Sequence, residues 1–437
     1  MAYVERLLTR FSHNLANLFH LPTYVHPRYG PLARKDVVKM PQGGLFPKVR
    51  KDESLLLHLT VTGRCNARCK GCINTTLTCE GRKEVLSLFE CEPERDARAL
   101  AALITQKKAS SATVAFYGGE PFLALSKMEA IVRRLDELSP APEVRFMVYT
   151  NGQLLARALE ESPGFFEKIW LLSVSIDGSP EQHARFRCGT DLFTIRENLA
   201  LVRRRTAAKI LQWSTIREGQ SLLDCFLEFL SLYEAGLVDY FFWHLAETDE
   251  PFADYLSFAE DYHRDLERIF DLYLAYLSKG ELLPVIPINE LLVFWLTGEA
   301  RGHSACGVEL ATNYDLVGGR VLACADLPPE LALGEVSPSG EVRLNGEGLL
   351  SRLVAYRDLL GCASCGVFAY CGGRCPVQVL TGSTERTLAY CELTRLLVAT
   401  LAERVEEIVS YLERHGLTPQ KIYDHSAYLA RYTDVIP

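Results

Sequence analysis

The sequence lacks any hydrophobic run of the roughly 18 to 20 residues that a membrane-spanning helix requires. It also lacks an excess of positive charge, because 47 basic residues stand against 55 acidic ones and give a net charge of −8. Its one tight basic run, Arg203-Arg204-Arg205, closes a predicted helix and is typical of a solvated helix end. We therefore expect neither a membrane nor a nucleic acid as a partner.

The first residues lack the apolar block of a signal peptide, because Glu5, Arg6, Arg10 and His13 interrupt it. We therefore expect a cytoplasmic protein. In that reducing compartment, 14 cysteines argue against a disulfide framework and favour metal binding or catalysis.

Six apolar, strand-like segments are each followed by a helical pattern, which predicts a parallel sheet with right-handed crossovers. The predicted strands are 54–62, 111–118, 143–151, 169–177, 208–216 and 239–247. The predicted helices are 94–109, 124–138, 153–161, 194–205, 221–236, 257–279 and 288–297. Such an α/β fold is a barrel or a doubly wound sheet, and in either one the chemistry gathers at the carboxyl ends of the strands.

The chain divides into regions of different composition. We expect an extended N-terminal arm (1–53), a barrel-like unit of six strand–helix repeats (54–250), a helical bridge (251–300), a Cys-rich unit (301–392), and a C-terminal helix and tail (393–437). The Cys-rich unit has little periodicity and cannot assemble much apolar core, so we expect metal to stabilise it. An amphipathic helix is predicted at 393–414.

Three cysteines, Cys65, Cys69 and Cys72, follow the first predicted strand within eight residues. Zinc would require a further C-x2-C pair nearby, whereas three thiolates suit a [4Fe–4S] cluster with one iron left open for a small molecule. Cys79 and Cys91 remain alternative fourth ligands.

The C-x3-C-x2-C spacing after a first strand resembles the radical S-adenosylmethionine (SAM) superfamily. Three further motifs support the resemblance, each at the end of a consecutive predicted strand: Gly118-Gly119-Glu120-Pro121, Thr150-Asn151-Gly152 and Ser173-x-Ser175-x-Asp177-Gly178. The resemblance implies a partial (β/α)6 TIM-like barrel in which Cys65, Cys69 and Cys72 hold the SAM-binding cluster.

The same resemblance implies the residues that contact SAM. Gly118, Gly119 and Glu120 are expected to receive its methionyl amine, and Asn151 lies in the neighbouring turn. Ser175 and an arginine of the segment His183-Ala-Arg185-Phe-Arg187 are expected to hold its carboxylate, with Arg187 favoured. The family usually has an aromatic residue before the third cysteine, beside the adenine, whereas this chain has Gly71.

Seven cysteines of the C-terminal region have the spacing of the SPASM extension found in one branch of that superfamily. The resemblance assigns Cys362, Cys365, Cys371 and Cys391 to an outer auxiliary [4Fe–4S] cluster and Cys306, Cys324 and Cys375 to an inner one. Three clusters and SAM are therefore the expected cofactors. The inner cluster is one thiolate short, and His303, Asp326, Cys225 or a substrate thiolate are the open alternatives.

Relatives with this architecture mostly modify peptides or protein side chains, which implies a crosslinking or oxidising enzyme with a peptide or protein substrate and a flavodoxin- or ferredoxin-type electron donor. Sulfatase-maturating relatives carry an aspartate directly after the cysteine that corresponds to Cys324; here Ala325 follows, and Asp326 is the candidate base. The alternatives are action on a small molecule or cofactor precursor, formylglycine formation, or a non-catalytic iron–sulfur protein.

Overall fold

The computed structural model describes residues 2–18, 21–51, 54–76 and 89–433. A ten-stranded sheet runs through it, with six parallel strands in chain order. These strands are β1 (Ser54–Thr62), β2 (Ser111–Gly118), β3 (Val144–Thr150), β4 (Ile169–Ser175), β5 (Lys209–Ile216) and β6 (Tyr240–Leu245). The predicted α/β fold with its six strand–helix units is thereby confirmed, as an open sheet with β6 at one edge.

The strands are apolar on both faces because the sheet is covered on both sides. In β1, for example, every residue from Ser54 to Thr62 is buried. Leu55 and Leu57 pack in the core shared with the helices, while Leu56 points into a second, smaller core on the concave face. The alternation of the pleat thus gives each strand one row of side chains for the helices and one row for the interior.

The helices that follow the strands lie within two or three residues of their predicted bounds. They are Pro93–Lys107, Leu125–Leu138, Leu155–Glu161, Leu192–Arg205, Leu222–Glu234, Tyr255–Leu277 and Ile286–Thr297. Shorter helices are Ile73–Thr76, Pro163–Phe166, Pro180–Phe186, Tyr356–Leu359, Phe368–Cys371 and Pro376–Thr381.

The predicted helix 393–414 is wrong in its extent. The structure has two helices, Thr384–Ala402 and Val405–Arg414. The first begins earlier because the Ser383 side chain caps it, accepting the backbone N–H of Arg386.

The N-terminal stretch that we expected to be an extended arm begins with a helix, Ala2–Asn17. Val4, Leu7 and Phe11 are buried on one side of it. The residues after this helix are irregular apart from two short strands, Val25–His26 and Gly30–Pro31. The helix packs against Pro376–Thr381 and Thr384–Ala402, so it is anchored to the C-terminal half of the chain.

The Cys-rich region continues the same sheet beyond β1. Its strands are β7 (Asn313–Val317), β8 (Arg320–Leu322), β9 (Gly334–Val336) and β10 (Val342–Leu344). β7 pairs in parallel with β1, and β8 to β10 follow as antiparallel hairpins. Consequently β1 has neighbours on both sides, β2 on one and β7 on the other.

The last described residues are packed inside the fold, although the sequence led us to treat them as a tail. After the helix Pro419–His425, a 3-10 turn, Ala427–Tyr432, carries Leu429 and Tyr432 into the interior core. That core contains one residue from each parallel strand, namely Leu56, Ala115, Met147, Leu171, Leu211 and Phe242. The C-terminal turn therefore fills the interior beneath the carboxyl ends of the strands.

None of the helices within the described ranges is both long enough and apolar enough to cross a membrane.

We predict that Leu429→Ala destabilises the protein by about 2 to 5 kcal/mol, because a fully buried leucine is lost and leaves a cavity. Urea unfolding followed by circular dichroism measures this change. Leu227→Ala is the matched control, since Leu227 is 47% exposed, and it should change the free energy of unfolding by less than about 0.5 kcal/mol. Equal effects of the two variants would contradict the interior packing of the C-terminal turn.

Candidate functional site

The concave face of the sheet carries a polar and aromatic layer above its apolar core. Each residue of this layer follows the interior core residue of the same strand by two positions. The layer consists of His58, Tyr117, Tyr149, Ser173, Trp213 and His244. Ring contacts join them: Tyr149 lies 5.8 Å from His58 and 5.7 Å from Trp213 between ring centroids, and Trp213 lies 5.4 Å from His244. Tyr149 and Trp213 are only half-buried, so solvent reaches part of this layer.

The loop after β1 brings its three cysteines together. Burial raises the pKa of the Cys65 thiol to about 11, and nearby charges at Glu120, Cys69 and Cys72 add to the increase. Burial and the charge of Cys69 likewise raise the pKa of Cys72. The three thiols are therefore electrostatic neighbours, as a shared cluster requires.

Backbone hydrogen bonds fix this loop to the segment after β4. The N–H of Arg68 donates to the carbonyl of Cys188 at 2.7 Å, and that of Lys70 donates to the carbonyl of Phe186 at 2.9 Å. The Arg187 side chain between them donates to the thiol of Cys69. The segment after β4 thus fixes the loop, and it includes Arg187, which the resemblance implies as a SAM contact.

Of the two alternative fourth ligands, Cys91 lies on the side of β1 that faces the helices. Cys91 is 2% exposed, and burial raises the pKa of its thiol to about 12, with Asp96 as its strongest charged neighbour. Its backbone N–H donates to Val61, on the side of β1 that faces the helices. Cys79 lies outside the described residues.

Gly118 and Gly119 let the second turn run against the cysteine loop. A Cβ added to Gly118 would lie 2.2 Å from the Thr62 carbonyl oxygen, and one added to Gly119 would lie 2.2 Å from that of Arg64. Gly118 also has a φ of +135°, which side chains rarely allow. Glycine is thus required here by the neighbouring backbone.

Glu120 is fully buried and links two of the predicted turns. Its carboxylate accepts hydrogen bonds from the Phe122 N–H (3.1 Å), the Thr150 hydroxyl (2.9 Å) and the Asn151 N–H (2.7 Å). Burial raises its pKa to about 7, although these three donors counteract the increase. Its contact with a methionyl amine stays a prediction, whereas its role in joining the turns is visible directly.

Asn151 connects the third turn to the cysteine loop. Its side-chain amide donates to the Asn66 side chain at 2.7 Å and lies 4.0 Å from the Cys65 sulfur. Ser175 is half-buried at the end of β4. The structure thus brings the four predicted motifs to one end of the sheet, and the contacts of Asn151 and Ser175 with SAM stay predictions.

Asp177 is a completely buried carboxylate that joins two arginines. Arg187 donates to it through Nε at 2.7 Å and Nη2 at 3.2 Å, and Arg217 donates through Nη1 at 2.8 Å. Burial alone would raise the pKa of Asp177, but the two guanidinium groups outweigh burial and hold it well below its usual value. Arg187 also reaches the Thr215 hydroxyl at 3.0 Å, so this network fixes its orientation.

Arg217 is the residue that the sequence analysis missed. It follows β5 directly, and its Nε is buried without a hydrogen-bond partner among the described residues. A Cβ added to Gly71 would lie 3.4 Å from that Nε. Arg217 therefore stands beside the position where the family has its aromatic residue; its place at the carboxyl end of a predicted strand was the available signal.

The outer cysteine set comes together from three segments: Cys362 and Cys365 in a tight turn, Cys371 at the end of a short helix and Cys391 inside Thr384–Ala402. Burial raises the pKa of Cys362 to about 12, and the charges of the other three thiols add to it. Arg395 lies near this set, with its Nη1 3.8 Å from the Cys365 sulfur.

The inner set is surrounded by carboxylates. Burial raises the pKa of Cys324, and the charges of Asp326, Asp315 and Cys375 add to the increase. Burial also raises the pKa of Cys375, with further contributions from Glu247 and Cys306.

The candidates for the missing inner ligand separate in space. His303 bonds through Nδ1 to the Ser304 carbonyl at 2.6 Å, and Asp326 is an electrostatic neighbour of Cys324. Cys225 instead receives contacts from Gln182 and Gln220 and has Asp177 as its strongest charged neighbour, which places it in the first site.

Groups of three or four thiols with few other donors are the ligand sets of iron–sulfur clusters, so the residues present fit that cofactor. Over the described ranges, no three His, Cys, Asp or Glu side chains are placed to hold a single metal ion.

Comparison with known proteins gives a matching family model and a related enzyme. Residues 55–188 match the family model of a 4Fe-4S single cluster domain. A GTP 3',8-cyclase from Stenotrophomonas maltophilia is 34% identical over 148 residues, which are 33% of this chain and 41% of the cyclase. The chain thus spans less than half the length of that curated relative.

Two solved structures share the fold. Native anSMEcpe with bound AdoMet has a TM-score of 0.63 at 18% identity, over 82% of this chain and 99% of that one. Native anSMEcpe with bound AdoMet and Cp18Cys peptide has a TM-score of 0.61 at 17% identity, over 83% and 99%. At these identities the likeness shows the fold, including the extension beyond the six strands.

We predict that Asp177→Asn destabilises the protein by about 3 to 5 kcal/mol, because two buried guanidinium groups lose their shared carboxylate. Chemical unfolding of the apoprotein measures this change. Glu160→Gln is the control, since Glu160 is exposed, and its free energy of unfolding should match that of the unchanged protein.

We predict a matching pH dependence. The pKa of Asp177 is lower in the folded chain than its ordinary value of 3.8, so its contribution to stability is complete above that pH. The contribution is lost as the pH falls through the folded value. The stability difference between the unchanged protein and Asp177→Asn should therefore be constant from pH 5 to 7 and shrink below about pH 4. A difference that grows on acidification would contradict the assignment.

Proposed function

We propose that this protein reductively cleaves SAM and oxidatively modifies a peptide or protein side chain. The match to a 4Fe-4S single cluster domain and the fold shared with a SAM-bound structure support this proposal. The observation that supports this most is the meeting of Cys65, Cys69 and Cys72 with the Gly118-Gly119 turn at the carboxyl end of the parallel sheet.

A [4Fe–4S] cluster with one open iron, when bound by these three cysteines, supplies the electron that breaks the sulfonium bond of SAM and releases methionine and a 5′-deoxyadenosyl radical. The protein's own part is positional. Asn151 and Arg187 contact the cysteine loop, Ser175 ends β4, and Gly118 and Gly119 permit close approach of backbone. Arg187 is already oriented by Asp177, so little side-chain ordering is needed when an anionic group binds.

The polar layer on the concave face is where we place the side chain to be modified. In this layer His58 contacts Asp315, a charged neighbour of the inner thiol of Cys324. We propose that the inner and outer sets hold auxiliary clusters, which would take up the electron that the substrate loses on oxidation. Two solved structures of similar fold, native anSMEcpe with Cp18Cys peptide and with Kp18Cys peptide, contain a bound peptide, and this supports a peptide substrate here.

A second candidate, action on a small molecule, is favoured by the 34% identity to GTP 3',8-cyclase over 148 residues, a third of the chain. The two candidates differ in what accelerates SAM cleavage. We propose to incubate the reconstituted protein with SAM and dithionite alone, with GTP, and with short Cys-rich peptides encoded beside the gene. Loss of two hydrogens from a peptide by mass spectrometry supports the first candidate, and consumption of GTP supports the second.

We predict that the unchanged protein forms 5′-deoxyadenosine from SAM and dithionite, and that Cys65→Ala, Cys69→Ala and Cys72→Ala each abolish it. Liquid chromatography measures the nucleoside, and iron analysis should give about twelve irons per chain for three cubane clusters. Cys91→Ala is the matched control, because this thiol is also buried but lies outside the three proposed sets. If the control loses the activity and the loop variants keep it, the proposed function is wrong.

We also predict that the double variant Cys362→Ala/Cys365→Ala keeps part of its SAM cleavage but forms no modified peptide, because only the outer set is disrupted. The measurement is the ratio of product to 5′-deoxyadenosine in one reaction. A ratio equal to that of the unchanged protein would show that the outer set is not needed for oxidation.

A further inference from the structure

Two histidine–carboxylate pairs reach from the concave face toward the inner cysteine set. His58 pairs with Asp315 at 2.9 Å, and His244 pairs with Glu247 at 3.4 Å. Both carboxylates are charged neighbours of an inner thiol, Asp315 of Cys324 and Glu247 of Cys375. The pairs differ in how their imidazole rings are oriented.

The His58 pair is built into the sheet. His58 on β1 and Asp315 on β7 are direct partners in the parallel register. The other oxygen of Asp315 accepts the backbone N–H of Ala325, the residue between Cys324 and Asp326. Asp315 therefore holds the imidazole of His58 and the inner cysteine loop in one arrangement.

The chemistry of the pair fixes the tautomer of His58. An ionised carboxylate only accepts hydrogen bonds, so Nδ1 carries the proton that it donates to Asp315. In the neutral ring Nε2 is then the basic atom. It lies 3.3 Å from the hydroxyl oxygen of Tyr149, and that hydroxyl donates its proton to the Tyr432 carbonyl at 2.9 Å rather than to Nε2. In contrast, His244 directs its Nε2 at the Thr215 hydroxyl (2.9 Å), within the network of Asp177 and Arg187.

We propose that His58, oriented by Asp315, is the proton acceptor for oxidation of the substrate; this inference rests on the proposed function. In that step the 5′-deoxyadenosyl radical takes one hydrogen atom from a substrate carbon. The substrate then gives one electron to an auxiliary iron–sulfur cluster and one proton, from an O–H, S–H or N–H group, to Nε2 of His58. The product has lost two hydrogens in total, and the imidazolium that forms is stabilised by Asp315.

This assignment replaces the role first expected of Asp326. Ala325 directly follows Cys324, and the carboxylate of Asp326 comes one position later. The backbone N–H of Ala325 donates to Asp315. His58 projects from the central strand β1 into the layer that lines the substrate space. Asp315 is a positioning residue in this scheme, since it acts through the imidazole.

The first test needs no substrate. The anaerobic holoenzyme is treated with diethyl pyrocarbonate, which acylates accessible neutral imidazoles, and the modified histidines are mapped by mass spectrometry. The chain supplies its own references. His13 and His415 are exposed and should react, whereas His183 is 1% exposed, accepts from the Asp177 N–H and bonds to Thr190, and should not. We expect His58 to react; a His58 as inert as His183 would overturn the proposal.

The second test uses the Cys-rich peptides that yield product with the unchanged protein. His58→Gln should keep its iron, its electron paramagnetic resonance signals and its 5′-deoxyadenosine formation, while product per 5′-deoxyadenosine falls about 100-fold or more. His58→Asn serves if the glutamine variant loads no iron. Asp315→Asn should lower the same ratio, and Glu160→Gln, which changes an exposed carboxylate far from the cysteine sets in the chain, should leave it unchanged.

The outcomes separate the two proposals. Absence of 5′-deoxyadenosine from the unchanged protein would refute the proposed function, and the acylation result would still report whether His58 is reachable. Unchanged coupling in His58→Gln would refute the role of His58 without contradicting SAM cleavage. The acid limb of the pH profile for product should disappear in His58→Gln, which a purely structural histidine would not cause.

Discussion

The structure depends on the pairing of β1 with parallel strands on both of its edges. β2 on one side brings the Gly118-Gly119 turn against the cysteine loop, and β7 on the other side brings Asp315 opposite His58. Parallel neighbours in register present their carboxyl ends together, so whatever follows each strand meets at one edge. One strand thereby links the first cysteine site to the inner cysteine set.

The charges near the sites are buried in compensated groups. Asp177 accepts hydrogen bonds from two arginines and from a backbone N–H. The carboxylate and the two guanidinium groups remain charged together, although their burial carries a cost of desolvation. Glu120 has only neutral donors, and its pKa rises to about 7. The difference fits two kinds of work: Asp177 fixes a cation that can face an anionic ligand, whereas Glu120 joins two turns through hydrogen bonds.

Much of the fold and of the candidate site could be predicted from local sequence patterns. The six parallel strands, and most of the helices after them, follow from apolar periodicity within two or three residues. The cysteine spacings, together with the turn motifs, predicted the iron–sulfur domain and the extension beyond it. Arg217 and the His58–Asp315 pair escaped because each depends on a partner far along the chain, and a lone arginine or histidine carries no signal by itself. The C-terminal turn was missed for the same reason: nothing in 427–433 indicates an interior position.

The sequence by itself therefore determined the kind of fold, the grouping of the cysteines along the chain and the class of chemistry. These are properties of periodicity and spacing, which act between residues close in the chain. Only the tertiary structure decided which carboxylates face which thiols, that Gly71 has Arg217 beside it, and that Tyr432 closes the interior beneath Tyr149. Such contacts are set by strand register and by side-chain packing over hundreds of residues, and neither is encoded in any short segment.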